Sequence, residues 1–127
     1  MNKREFVFNR LNDSLSLNAL VGNRIYSTVK GDPGKPFIVI RFDPVFPDVV
    51  GGEFQNMTIW VHDQSQSYER IDTILPLIRA ALEGPVAMAG ETGIHVDWSG
   101  ESGDLSDDAR GTILRNATFR LAGRREA

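Results

Sequence analysis

The segment from Ser67 to Glu83 constrains the fold most, because it carries the clearest helix pattern in the chain. Its apolar residues recur at spacings of three and four, which places them on one face of a helix with about 3.6 residues per turn. The residues on that face are Tyr68, Ile71, Leu75, Ile78 and Leu82, with Ile74 and Ala81 beside them. A helix with one apolar face of this size predicts a sheet against which the face is buried.

Pro76 lies inside this helical pattern. A proline within a helix removes one backbone hydrogen bond and crowds the preceding turn. By its position Pro76 faces solvent, which favours a single helix over 67–83 that is kinked at the proline. The alternative is a helix that ends at Leu75, followed by a second helix with Pro76 in its first turn. Ser67 is suited to cap the start, and Gly84-Pro85 ends the pattern.

Composition limits the class of protein. The chain has 127 residues, of which 41% are hydrophobic and 24% charged, so we expect one globular domain over residues 1–127 with a frayed tail over 123–127. The sequence has no apolar run of about 18 residues, so it predicts no membrane-spanning helix. There are no cysteines, which excludes disulfides and thiolate chemistry. A net charge of −3 argues against a general nucleic-acid binder.

Apolar and turn-forming residues outline the remaining elements. The predicted elements are a helix over 5–17, a short extended segment over 24–29, strands over 37–42 and 57–63, the helix over 67–83, and strands over 94–98 and 112–121. Consecutive strands without an intervening helix favour antiparallel pairing. We therefore expect an α+β fold in α-β-β-α-β-β order: a mostly antiparallel sheet of four to five strands with two helices packed on one face.

The segment from Asp43 to Phe54 is broken by prolines and glycines, so the sequence predicts an irregular loop there. The loop carries four large apolar side chains, and exposed apolar clusters mark partner surfaces. In the alternative interpretation, Phe46 and one valine fold back over the core. Trp60 lies on the strand face opposite Met57. The predicted partner surface comprises Val45, Phe46, Val49, Val50 and Trp60.

The two histidines are the candidate catalytic or metal-binding residues. His95 and Asp97 share one face of a predicted strand and could meet His62 on a neighbouring strand. A polar outer sheet face explains the same pattern, and no recognised metal-ligand spacing is present. The turn at Gly31–Lys35 lacks the spacing and hydroxyl of a phosphate-binding loop. We therefore predict no catalytic residue, no cofactor and no metal site.

Four stretches in order resemble a known family. They are LVGNRIY over 20–26, PFIVI over 36–40, WVHDQSQSYERIDTIL over 60–75, and Trp98 before an acidic turn and a closing strand. This arrangement resembles the tail terminator, or tail completion, proteins of long-tailed siphophages, and it spans nearly the whole chain.

The resemblance implies a non-enzymatic virion protein with a small α/β sandwich fold. Members form a hexameric ring on the head-proximal end of the tail tube, where they stop tube polymerisation and offer a surface for head joining. The implied partners are further copies of the chain, the tail tube protein and the head–tail connector protein. The implied location is the tail or neck of a virion assembled in the host cytoplasm, with no membrane contact.

DNA would pass through such a ring without specific binding. Acidic side chains suit the wall of such a channel because they repel the phosphate backbone. We expect Asp104, Asp107 or Asp108 to face it. Two other functions stay open: another neck component, such as a head-completion or connector protein, and a small hydrolase or metal enzyme that uses His62 and His95 with Asp97.

Overall fold

The computed structural model describes residues 3–47, 52–64, 68–83 and 94–123, and within these ranges the chain forms three helices and six strands. The helices are α1 (Lys3–Asn12), α2 (Leu15–Val21) and α3 (Glu69–Glu83). The strands are β1 (Ile25–Tyr26), β2 (Phe37–Pro47), β3 (Glu53–Gln64), β4 (Ile94–Glu101), β5 (Leu105–Asp107) and β6 (Thr112–Gly123).

One sheet joins all six strands, in the order β1-β2-β3-β6-β4 with β5 also paired to β6. The central strands β3 and β6 pair without a break from Glu53 opposite Gly123 to Gln64 opposite Thr112. The β1–β2 pair is parallel, and the other pairs among the described strands are antiparallel. The α+β class is confirmed, but the sheet is mixed, and both the strand number and the element order differ from the prediction.

The predicted helix over 5–17 is two helices, which corrects that prediction. α1 ends at Asn12, and Ser14 has the extended backbone of an N-cap residue. The Ser14 hydroxyl accepts a hydrogen bond from the Leu17 backbone N–H at 3.3 Å. Asn, Asp and Ser bond readily to nearby backbone groups, so the run from Asn12 to Ser14 ends one helix and starts the next.

The LVGNRIY segment turns the chain from α2 into the sheet. Gly22 closes α2 with φ +59°, a left-handed conformation that favours glycine. Arg24 then donates to the Leu20 carbonyl at 3.3 Å and to the Pro36 carbonyl at 2.9 Å. This side chain therefore joins the end of α2 to the start of β2.

α3 continues through Pro76 as one helix, and Pro76 is exposed on its outer side. The alternative of two helices is therefore wrong. The predicted apolar face is confirmed, since its buried residues are Ile71, Ile74, Leu75, Ile78 and Leu82. The predicted caps at Ser67 and Gly84-Pro85 lie outside the described residues. In the described ranges no helix has the length and apolarity needed to cross a membrane.

The segment from Asp43 to Phe54 is largely a hairpin rather than an irregular loop, which corrects the prediction. β2 continues to Pro47 and pairs with β3, with Phe46 opposite Phe54. A register shift between Phe42 and Val45 places Pro44 at a bulge, where its missing N–H costs no ladder bond. Residues 48–51, which include Val49 and Val50, lie outside the described residues.

The acidic segment over 99–111, between the two last predicted strands, is also partly strand. β4 runs on to Glu101, and β5 pairs with the first residues of β6. The polar composition of this segment gives no strand signal, because β5 is only three residues long and its single large apolar residue, Leu105, is exposed.

The helices cover one face of the sheet and bury its alternate side chains. The buried apolar residues that the central strands direct toward the helices include Met57, Ile59 and Val61 on β3 and Ala117, Phe119 and Leu121 on β6. Ile38 and Ile40 of β2 join the same core. Each fully buried apolar side chain contributes roughly 1.5–3 kcal/mol as an upper bound, so this face holds most of the stabilising area.

An ion pair between the buried carboxylate of Asp63 and the partly exposed guanidinium of Arg70 joins the start of α3 to the end of β3. Asp63 is 3% exposed, and its carboxylate accepts from Arg70 Nε at 2.7 Å and Nη2 at 2.5 Å. It also accepts from the Gln64 backbone N–H at 2.7 Å. The bond to Asp63 raises the pKa of Arg70, which keeps the guanidinium charged.

Replacing Arg70 with glutamine should lower the free energy of unfolding by about 1–3 kcal/mol, because the buried Asp63 carboxylate loses its charged partner. Equilibrium urea denaturation measures the change. Arg41→Gln is the control, since the Arg41 side chain is 70% exposed and lies 3.6 Å from Asp43. We expect that control to change stability by less than about 0.5 kcal/mol. Equal losses in both variants would contradict the role given to Asp63.

Candidate functional site

The helices leave the second face of the sheet uncovered, and this face is called the open face below. Alternation along the strands places Val39 of β2, Trp60 of β3 and Asn116 of β6 in one cross-strand row. The next row holds Phe37, His62 and Leu114. Trp60 is half-buried, as a large side chain without a helix above it would be. The open face has two features that a partner could contact. One is a cleft near β5, and the other is the exposed end of the β2–β3 hairpin.

The cleft has a volume of about 340 Å³. Its lining residues are Val29, Val39, Trp60, His62, Asp107, Arg110 and Leu114. The floor is apolar, because Val39, Trp60 and Leu114 come from three adjacent strands. Val29 of the loop over residues 27–36 also lines the cleft, so this loop contributes a wall, and Arg110 Nη1 donates to the Gly31 carbonyl of the same loop at 3.2 Å. A cleft with an apolar floor and charges at its edge suits a partner side chain or a small ligand.

His62 is buried in this cleft, with 7% of its surface exposed. Its ring stacks on Phe37 at 4.6 Å between centroids, and Nδ1 lies 2.9 Å from the Thr112 hydroxyl. Burial lowers the pKa of His62, which favours the neutral ring. Asp107 opposes this by attraction, whereas Arg110 lowers the pKa further by repulsion.

The other candidate catalytic or metal-binding residues, His95 and Asp97, do not lie near His62. His62 lies opposite Leu114 of β6, whereas His95 lies opposite Ala122 of the same strand. Eight positions along a strand correspond to about 26 Å at a rise of about 3.3 Å per residue. His95 instead bonds Asp97 at 2.9 Å on the exposed surface. In the described ranges, no group of three or more His, Cys, Asp or Glu residues could hold a metal ion.

The hairpin end carries the exposed part of the predicted partner surface. Val45 is 46% exposed and Phe46 is 48% exposed. Phe46 stacks on Phe54 at 5.6 Å, and the Arg120 guanidinium lies 4.4 Å from the Phe54 ring centre. Phe46 therefore does not fold back over the core, so that alternative is wrong. The structure places Trp60 in the cleft, further along the same face.

The three predicted channel acids lie in different surroundings. Asp104 lies 4.0 Å from Arg115, which also binds Asp72 of α3 at 2.5 Å. Asp107 lines the cleft on the open face, and Asp108 is exposed in the turn after β5. Facing a channel stays a prediction for each of them, but Asp104 and Asp107 belong to opposite sides of the sheet.

Sequence reasoning missed Arg110, which lines the cleft, and Thr112, which forms a hydrogen bond with His62. Both belong to a polar stretch without a recognisable motif, and Thr112 was assigned only as the start of a strand. Their roles depend on the β5–β6 pairing, which brings Asp107 opposite Thr112. Strand alternation was the available signal for Phe37, since it predicts Phe37 and Val39 on one face of β2.

The chain matches no family model, and no curated protein matches it in sequence. It does resemble solved structures, among them a chain from the virion of a native gene transfer agent (GTA) particle. The TM-score is 0.70, and the match covers 92% of this chain and 90% of the other. Sequence identity is 17%, so this likeness establishes a shared fold over nearly the full length of both chains.

Replacing Phe46 with serine should change the free energy of unfolding by less than about 1 kcal/mol, because the ring is half exposed and packs mainly on Phe54. Phe119 is fully buried, and Phe119→Ala should cost about 3–5 kcal/mol by leaving a cavity. Thermal or urea unfolding of the two variants tests the contrast. A large loss for Phe46→Ser would mean that the hairpin end belongs to the core.

Acidification should lower stability through His62. The folded pKa lies below the ordinary value of 6.5, so the unfolded chain binds the proton more readily. The contribution of neutral His62 is therefore complete above pH 6.5 and is lost as the pH falls from there toward the folded pKa. Urea unfolding across this window should show a smaller pH slope for His62→Gln than for His95→Gln, because only the first variant removes the buried His62 ring. Equal slopes would contradict the assignment.

Proposed function

We propose that this chain is a structural virion protein that forms a ring on the head-proximal end of a phage tail tube. In this role it ends tube polymerisation and provides the surface to which the head is joined. The observation that carries the proposal is the fold-wide likeness to a chain of a gene transfer agent virion, which the two chains share over 92% and 90% of their lengths. The family resemblance of the sequence adds the terminator role within that virion setting.

The surface of the described residues supports assembly rather than catalysis. His62 is separated from His95 and Asp97 by the length of β6, so no catalytic group is assembled from them. The exposed apolar side chains are instead Leu15, Val45, Phe46 and Leu105. Val45 and Phe46 are neighbours near the end of a hairpin, and alternation places Phe46 on the open face, where a protein partner can bury its ring together with Phe54.

The geometry of the sheet also suits a ring. A ring closes through head-to-tail contacts, in which two different patches of the same chain meet. The hairpin end and the cleft are two different patches at separate positions on the sheet, the first with an exposed aromatic ring and the second concave. A protein that caps a tube also needs one surface that binds the tube end and a second surface that does not bind further tube subunits. An asymmetric subunit of this kind can present both.

The test is to add the purified protein to tail tube protein that is polymerising, and to measure tube lengths by electron microscopy. We expect shorter, blunt-ended tubes with a ring of extra density at one end. Phe46→Ser should weaken this effect by about tenfold in the concentration required, because it removes an exposed aromatic contact.

Leu15→Ser is the matched control, because Leu15 is 86% exposed on α2 and lies in the helix layer away from the hairpin. It should leave tube length control intact. If the protein binds connector rings but leaves tube length unchanged, it is a connector or head-completion protein instead. Binding to neither partner would refute both assignments.

A further inference from the structure

The wall of the cleft is fastened by a charged hydrogen bond that His62 can influence. Arg110 lies in the turn between β5 and β6, and its Nη1 donates to the carbonyl of Gly31 in the wall loop, residues 27–36. This bond is called the latch below. It joins parts of the chain that are 79 residues apart in sequence, so its loss would free the wall from the β5–β6 turn.

His62 lines the same cleft as Arg110 and is 7% exposed. Phe37 of β2 covers its ring face, and Thr112 of β6 meets Nδ1. The charged groups that act on it are Asp107 of β5 and Arg110 of the turn. The first attracts a positive imidazole, and the second repels it. The guanidinium that forms the latch is therefore the cation that a charged His62 would push away.

We propose that protonation of His62 opens the cleft by releasing the latch between Arg110 and Gly31. A neutral imidazole donates through one nitrogen and a protonated one through both, so protonation adds a second N–H that needs an acceptor. A charged group without hydrogen-bonding partners is costly to bury. Opening the wall admits water to the ring, and movement of Arg110 away from His62 removes the like-charge repulsion while Asp107 stays.

The opened cleft presents a different surface from the closed one. Its floor consists of Val39, Trp60 and Leu114, of which Leu114 is only 8% exposed while the wall is closed. Acidification would therefore expose an apolar strip on the open face, and return to neutral pH would cover it. Histidine is the side chain suited to this range, since its ordinary pKa is near 6.5. The device does not depend on the proposed virion role.

Quenching of Trp60 fluorescence by acrylamide tests the proposal. The chain has two tryptophans, and Trp98→Phe leaves Trp60 as the reporter inside the cleft. We expect the quenching constant to rise about twofold between roughly pH 7.5 and pH 5, a range that brackets histidine titration. Far-UV circular dichroism should stay constant over the same range, because only the wall moves.

Further variants of the Trp98→Phe protein test the separate roles of His62, Arg110 and Asp107. His62→Gln should abolish the pH response, and His95→Gln should keep it. Arg110→Gln removes the latch, so quenching should already be high at neutral pH. Asp107→Asn should move the transition to lower pH, because it removes the attraction that favours the charged ring.

Two results would overturn the proposal. One is equal quenching at both pH values while His62 is present. The other is a rise in quenching that coincides with loss of the circular dichroism signal, since that would be unfolding of the whole domain. If His62→Gln fails to fold, the Arg110→Gln variant still decides: low quenching at neutral pH in that variant would show that the latch does not hold the wall.

Discussion

The continuous pairing of β3 with β6 is the interaction on which the rest of the structure depends. It runs over the full length of both strands, from Glu53 to Gln64, without a bulge. Because the register is fixed, alternate residues of these strands go to opposite faces along the whole sheet. One face receives Met57, Ile59 and Phe119 and the helices that cover them. The other receives Trp60 and His62, and with them the cleft.

Charged contacts then set the position of α3 on this sheet. Asp63 binds Arg70, and Arg115 of β6 binds Asp72 two residues further along, so both contacts lie in the first turn of α3. Arg115 also reaches Glu101 of β4 at 3.3 Å, so it connects the helix to two strands. At the far end, Arg79 stacks on Trp98 at 4.0 Å. The helix buries its apolar face by hydrophobic contact, and these cations fix its direction across the strands.

Much of the helix-covered face could be predicted from the sequence. The spacing of Ile71, Leu75 and Ile78 identifies α3, and strand alternation identifies the buried side of β3. The parts that the sequence did not predict depend on contacts between distant residues. Pro44 looks like the end of a strand until the bulge beside it is known. The break at Ser14 depends on which of two local hydrogen-bond patterns prevails.

The cleft could be predicted from the sequence even less well than the fold. His62 and Trp60 were recognised as outward-facing residues, yet their neighbours Arg110 and Gly31 come from two separate loops. His62, His95 and Asp97 share one face, which the sequence did suggest, but the sheet order places them at opposite ends of β6. Periodicity assigns a residue to a face, whereas the distance along that face depends on strand register, which a single sequence does not fix.

The bulge between Phe42 and Val45 has a consequence for how such a chain can diversify. Beyond the bulge the hairpin is still joined to α1 by the Lys3–Glu53 ion pair at 3.2 Å, but Val45 and Phe46 are exposed. Beyond it, side chains such as Phe46 contribute little to the shared core. Mutations in the outer segment can therefore accumulate while the register of β3 and β6 is preserved. Chains with the same scaffold can in this way acquire different hairpin ends, and a single architecture can serve assemblies of unlike composition.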